Sequence, residues 1–202
     1  MSVMQSFLFH PVPIIVGDFA GNIVDANGTT VVNIPAHEPG DLLLAWGSDK
    51  SNTPPTTPAG FTQLTVSICD PSFTASDRSS KVVYKISDGS AQTITFDGPG
   101  QNGASTDPYS GCYIIRNATG VGNVASANTT STGTSFTAPS ITLRQPPSTL
   151  FVFTLADNIS AVPGGWTKGN TGGYIEYATG WSAAVFTLSA TTALIGSSIE
   201  IY

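Results

Sequence analysis

The strongest constraint on this chain is that it runs through one pattern twice. "TPAGFTQL" (Thr57 to Leu64) and "VPGGWTKG" (Val162 to Gly169) share the skeleton Pro-x-Gly-aromatic-Thr, and Pro58, Gly60, Phe61 and Thr62 each stand 105 residues ahead of Pro163, Gly165, Trp166 and Thr167. The neighbours match in the same order. "TTVVNIPA" (Thr29 to Ala36) corresponds to "TSFTAPS" (Thr134 to Ser140), and "DLLLAW" (Asp41 to Trp46) to "TLFVFTL" (Thr149 to Leu155). Downstream, "VVYKISDG" (Val82 to Gly89) faces "GYIEYATG" (Gly173 to Gly180), "QTITF" (Gln92 to Phe96) faces "AVFTL" (Ala184 to Leu188), and "GCYIIR" (Gly111 to Arg116) faces "SSIEIY" (Ser197 to Tyr202). An order kept throughout marks a divergent internal duplication with a repeat of roughly 90 to 105 residues, far longer than a solenoid or propeller unit. The expected product is a sandwich with two-fold-like halves.

The repeated segments have the period and length of strands. "QTITF" alternates, with Ile94 and Phe96 on one face and Thr93 and Thr95 on the other, and "AVFTLS" and "SIEIY" behave alike. "LLLAW" and "LFVFTL" are continuous apolar runs of strand length, as expected of central strands covered on both faces. Turn signals lie between, at Asn27-Gly28, Asp88-Gly89, Asp97-Gly98, Gly164-Gly165 and Gly172-Gly173. About eleven strands at this spacing predict an all-β antiparallel sandwich, jelly-roll-like, with no substantial helix. Residues 18–202 are expected to form a single β-sandwich domain of two matched halves, about 20–117 and 134–202, because each half alone would leave its fully apolar strands uncovered. "SDKSNTPPTTPAG" (Ser48 to Gly60) and "DGPGQNGASTDPYSG" (Asp97 to Gly111) are expected as long exposed loops, and 117–135 as a linker between the halves.

Within the repeated motif, Pro sets a turn, Gly accepts a positive φ, and the aromatic enters the next strand facing inward. Phe61 and Trp166 are therefore expected as core plugs rather than sugar-stacking platforms, and Trp46, ending an apolar run, likewise. Tyr109 and Trp181, beside Gly and Ser, are the better candidates for exposed aromatics at an interface or a glycan site.

Composition narrows the function classes. Charged residues make up only 10% of the 202, and the formal net charge is −6, so a phosphate backbone is repelled and nucleic-acid binding is not expected. No apolar run approaches the 18 or so residues of a spanning helix, and no basic cluster suits an anionic membrane. Pro11 and Pro13 interrupt the one signal-like stretch, which no Lys or Arg precedes, so no signal peptide is expected. Cys69 and Cys112 are expected as buried free thiols of a chain made in a reducing cytoplasm.

Chemistry has thin support. His10 and His37 lie in no recognisable constellation with Ser or Cys, and no GxSxG, HExxH or CxxC occurs. Asp70 with Asp77, and Asp97 with Asp107, are too loosely grouped for a metal. No catalytic residue, metal or cofactor is therefore assigned. The first seventeen residues stand apart: "FLFHPVPIIVG" (Phe7 to Gly17) lacks alternation, and its prolines favour an extended arm, residues 1–17. An arm this apolar must dock, on its own sandwich or on a neighbouring subunit. Phe7, Leu8, Phe9, Ile14 and Ile15, with Tyr109 and Trp181, form the candidate interface.

The succession "PGDLLLAW", "PAGFTQL", "YKIS" with "TITF", and "GCYIIR", followed by "FTAPS", "STLFVFTLAD", "PGGWT" and "IGSSIEIY", resembles a jelly-roll-type β-sandwich module of tailed-bacteriophage virion proteins, over about Ala20 to Tyr202. The similarity is to capsid decoration (cement) and tail-associated proteins. It implies a non-enzymatic structural protein of the virion, made in the host cytoplasm and bound to the major capsid protein or neighbouring virion proteins. It also implies a homo-oligomer, for which a trimer is the expectation. The alternative from another class is a tail or head-fibre module that binds host-surface glycan.

Overall fold

A computed structural model describes residues 11–25, 28–49, 53–69, 78–98, 109–127, 132–143, 148–154, 159–161, 166–168, 175–179, 185–193 and 196–202. Among these there is no helix, and sixteen strands run in the order β1 (Ile14–Ala20), β2 (Asn22–Ile23), β3 (Thr30–Ile34), β4 (Leu42–Asp49), β5 (Thr62–Cys69), β6 (Arg78–Ile86), β7 (Gln92–Phe96), β8 (Tyr109–Arg116), β9 (Val121–Ala127), β10 (Thr132–Thr137), β11 (Thr149–Thr154), β12 (Ile159–Ala161), β13 (Trp166–Lys168), β14 (Ile175–Thr179), β15 (Val185–Ala193) and β16 (Gly196–Ile201). Their pairings are antiparallel. The fold is an all-β sandwich.

The duplication is written into the topology. The first half makes a five-stranded sheet β1-β8-β4-β6-β5 and a small sheet β2-β3-β7; the second makes β9-β16-β11-β14-β13 and β10-β15-β12. Strand for strand the five-stranded sheets correspond, and β3-β7 corresponds to β10-β15; only the third strand of each small sheet differs, β2 on β3 against β12 on β15. The register refines one match. Leu44 lies opposite Tyr84 and Tyr113, and Phe151 opposite Tyr177 and Ile199, so Tyr84 corresponds to Tyr177. The alignment of "VVYKISDG" with "GYIEYATG" is thereby shifted by two residues, a slip that keeps every side chain on its face and so leaves the alternation unchanged.

Strand β4 explains why its sequence is apolar without alternation. Leu42, Leu44 and Trp46 point to one face and join Val82, Tyr113 and Ile115 in packing against Phe151, Phe153, Ile199 and Ile201 of the second half. Leu43 and Ala45 point the other way, into a second core with Val83, Cys112 and Ile114 that is closed by Val32, Ile34, Ile94 and Phe96 of the small sheet. The matching outer core of the second half holds Leu150, Val152, Trp166, Ala138 and Ile141. The two large sheets thus pack face to face, and the halves share a central layer. At its centre Trp46 lies 5.6 Å from Phe153 and 5.8 Å from Tyr113, and Tyr113 lies 5.6 Å from Phe151, all tilted, the spacing at which aromatic pairs add about 0.5–1.5 kcal/mol beyond burial.

The repeated motif does what its residues dictate. Gly60 has φ +79°, and the Phe61 N–H donates to Pro58 O at 3.1 Å, a four-residue turn with Gly at the position that demands positive φ. Phe61 then packs against the first outer core and Trp166 is buried in the second; Gly165 lies outside the described residues.

Three expectations change. Strand β1 begins at Ile14, inside the expected 1–17 arm, pairing Ile14 with Arg116 and Ile15 with Ile115; the prolines restrict only themselves and their predecessors, so pairing resumes directly after Pro13. The expected linker 117–135 contains β9, an edge strand that pairs with β16; its small side chains in "VGNVASA" hid it. The expected loop 48–60 starts later, since β4 runs to Asp49. Although Thr53, Thr56, Thr57, Ala59 and Gly60 are exposed, it is anchored at points: Pro55 and Pro58 are buried, Thr56 N–H donates to Asp97 O at 3.0 Å, and Ser79 Oγ donates to Thr53 O at 3.0 Å. It covers the end of β7.

Gly111 stands opposite Trp46, and a Cβ there would overlap the indole ring. Gly111→Ala is expected to lower stability by about 1–3 kcal/mol, as overpacking does, and to shift Trp46 fluorescence; chemical denaturation of the variant checks both.

Candidate functional site

Several polar side chains of the described residues are tied into local networks. His37 Nδ1 lies 2.8 Å from Pro35 O, an acceptor only, so in the neutral ring Nδ1 carries the hydrogen and Nε2 accepts from the Ser87 hydroxyl at 2.7 Å. This is the spacing of a nucleophile and its base. Ser87 Oγ, however, also accepts from Gly89 N–H at 3.1 Å and Gln92 Nε2 at 3.4 Å, and the residue is buried. Its hydrogen and both lone pairs are in use. The pair ties the turn before β4 to the turn after β6, a role reinforced by His37 N–H donating to Gly89 O at 2.9 Å.

Beside it, Arg116 forms a fork onto Asp41, Nε to Oδ1 at 3.2 Å and an Nη to Oδ2 at 3.1 Å, and its other Nη meets Glu38 at 2.8 Å. The bonds from Asp41 hold the guanidinium protonated above its ordinary range. In the second half Glu200, fully buried, accepts from Ser148 Oγ and from Asn123 N–H, both at 2.9 Å. It occupies the place that Ile114 holds in the first half, one reason the second copy of the pattern is harder to see. Lys81, buried over the first outer core, donates to Thr57 Oγ1 at 3.2 Å, and desolvation lowers its pKa. Among the described residues no group of three His, Cys, Asp or Glu is placed to hold a metal.

Outside these networks lies a cluster of exposed apolar side chains. Among the described residues seven large hydrophobic side chains are exposed, and five of them, Val12, Ile14, Val16, Ile23 and Val24, fall within thirteen consecutive positions. Strand β1 closes one side of the first five-stranded sheet and β2 closes the same side of the small sheet, with the Gly21 N–H donating to Ser110 O at 2.8 Å at the step between them. The five residues therefore lie along one flank of the first half. Concentrated exposed apolar surface marks interaction sites, whereas scattered single residues do not.

Of the expected interface residues, Ile14 lies on this flank, 48% exposed. Ile15 does not: it points inward and packs on the central layer, because alternation sends neighbours to opposite faces. Tyr109 is not in a turn; it opens β8, half-buried, with its N–H donating to Ser48 Oγ at 3.2 Å and its carbonyl accepting from Ser48 Oγ at 3.1 Å. Phe7, Leu8, Phe9 and Trp181 lie outside the described residues. Val12 and Val16 were missed within the run of aliphatics around the prolines, which the sequence assigns to the arm as a whole, and Ile23 and Val24 lie beyond that run, where nothing in the sequence marked them. No family model, curated protein or solved structure matches the chain.

Cys112 is buried as expected and unpaired. Burial, with Asp18 nearby, pushes its thiol far above the usual range. A folded pKa raised above the unfolded one stabilises fully below the unfolded value, near 8.5, and that contribution is lost as pH climbs above it, by up to about 1.4 kcal/mol per pH unit. In a Cys69→Ser background, Cys112 should resist thiol reagents until the chain unfolds, and Cys112→Ala should remove this part of the alkaline loss. Denaturation midpoints between pH 7 and 10 test the latter.

Proposed function

We propose that the chain is a non-enzymatic structural protein of a bacteriophage virion, most specifically a capsid decoration protein that seats on the head shell and stabilises it. The observation that carries the reading is the aliphatic flank of β1 and β2, five exposed large aliphatic side chains within thirteen positions. A decoration protein has to be rigid, soluble before assembly and adhesive on a defined surface. Rigidity has its source in the shared central layer, since two sheets that bury one another cannot slide without exposing it. Adhesion has its source in the flank, where apolar area supplies contact energy with little charge pairing. The segment-by-segment likeness to virion β-sandwich modules supplies the biological setting. The glycan-binding alternative has weaker support, because Tyr109 is held in a strand by Ser48 and is not presented on a loop.

The test is a count. Quantitative mass spectrometry of purified particles against the major capsid protein is expected to find on the order of hundreds of copies, as repetition of a shell lattice requires. A handful would transfer the protein to the tail or a vertex, and none in particles of the phage that encodes it would end the virion reading.

A further inference from the structure

Resting on the reading of the β1–β2 flank as adhesive, we propose that before the protein seats on a shell the flank is occupied by the same flank of a second copy of this chain, so that the free protein is a two-fold dimer in solution. A surface meeting itself must be self-compatible in charge. The chain as a whole is acidic, at −6, and most acidic faces would repel their own copies. Residues 11–24 carry one ionisable side chain, Asp18, and it is partly buried.

The edges of the small sheet make the contrast. The end of β7 is covered by the proline-rich segment through Thr56 and Asp97. Strand β2 is two residues long, too short to template a partner. Strand β1 is seven residues long, has a hydrogen-bonded neighbour on one side only among the described residues, and carries neither Lys nor Pro. Its one irregularity is the bulge between Ile15 and Gly17, which breaks the regular edge and leaves Val16 42% exposed.

The geometry of a two-fold contact follows. With the axis near Ile14, the centre of the Val12, Ile14 and Val16 row, antiparallel copies of β1 place the aliphatic side chains together. The two Asp18 carboxylates are then about 26 Å apart along the strands, at ~3.3 Å per residue, well beyond a Debye length at physiological salt. Arg116, the cross-strand neighbour of Ile14, and Glu38 bonded to it stand at the edge of the patch, where charged groups are tolerated as a rim. A contact of a surface with itself closes at two subunits, so the unit is a dimer and not the trimer anticipated from the sequence.

Sedimentation equilibrium of the full chain at about 1–100 μM tests this. The wild type should have the mass of a dimer. Ile14→Lys with Val16→Lys brings four like charges to the axis and should weaken association by at least about a hundredfold, giving monomers. Val124→Lys, an exposed position on the equivalent edge strand β9, should remain dimeric. A urea midpoint for Ile14→Lys/Val16→Lys that matches the wild type diluted until it is monomeric would exclude misfolding. A wild type that stays monomeric, a trimer, or a dimer that survives Ile14→Lys/Val16→Lys overturns the proposal. The measurement needs no particles, so it can fail while the copy number stands, and the reverse.

Discussion

Everything in this fold depends on the apolar layer between the two large sheets. Leu42, Leu44, Trp46, Val82, Tyr113 and Ile115 from one half are covered from the other by Phe151, Phe153, Ile199 and Ile201. Each fully buried side chain of this size contributes about 1.5–3 kcal/mol relative to exposure, so neither half can keep its central strands apolar on both faces without the other. The small sheets are secondary: they close the outer faces, through Val32, Ile34, Ile94 and Phe96 in the first half. Polar pairs such as His37 with Ser87 and Arg116 with Asp41 then fix the turns at the ends of the strands. Function, on this account, is left to the part of the surface that neither the layer nor the turns consume.

Much of this was legible in the sequence because it rests on local rules. Continuous apolarity in "LLLAW" and "LFVFTL" announced strands covered on both faces, and Pro-x-Gly-aromatic announced a turn that delivers Phe61 and Trp166 inward. Both signals are carried by backbone sterics and burial, which are the same in every context. The correspondence of the halves survived because it was anchored on whole segments, although "GYIEYATG" was aligned two residues out of place where no turn residue fixed the register.

What escaped the sequence depended on partners. Strand β9 is made of Gly, Asn, Ser, Ala and Val, and only pairing with β16 makes it a strand. The anchoring of the proline-rich segment was not visible because its hydrogen bonds come from Asp97 and Ser79, residues distant in the chain. Ile14 and Ile15 are chemically alike and adjacent, yet one faces solvent and the other the central layer; the parity that separates them is set by β8. The buried Glu200 could not be distinguished from a surface carboxylate before Ser148 and Asn123 were seen to hold it.

The central claim, that one layer makes the two halves a single cooperative body, is tested most directly by amide hydrogen exchange in the full chain carrying Phe151→Ala. Removing that ring from the second half should cost about 3–5 kcal/mol, roughly two to four orders of magnitude in protection for the slowest amides. The account predicts that amides of β4 and β8 in the first half lose as much protection as those of β11 and β16. Loss confined to the second half, with β4 and β8 unchanged, would show that the halves stand independently and would contradict it.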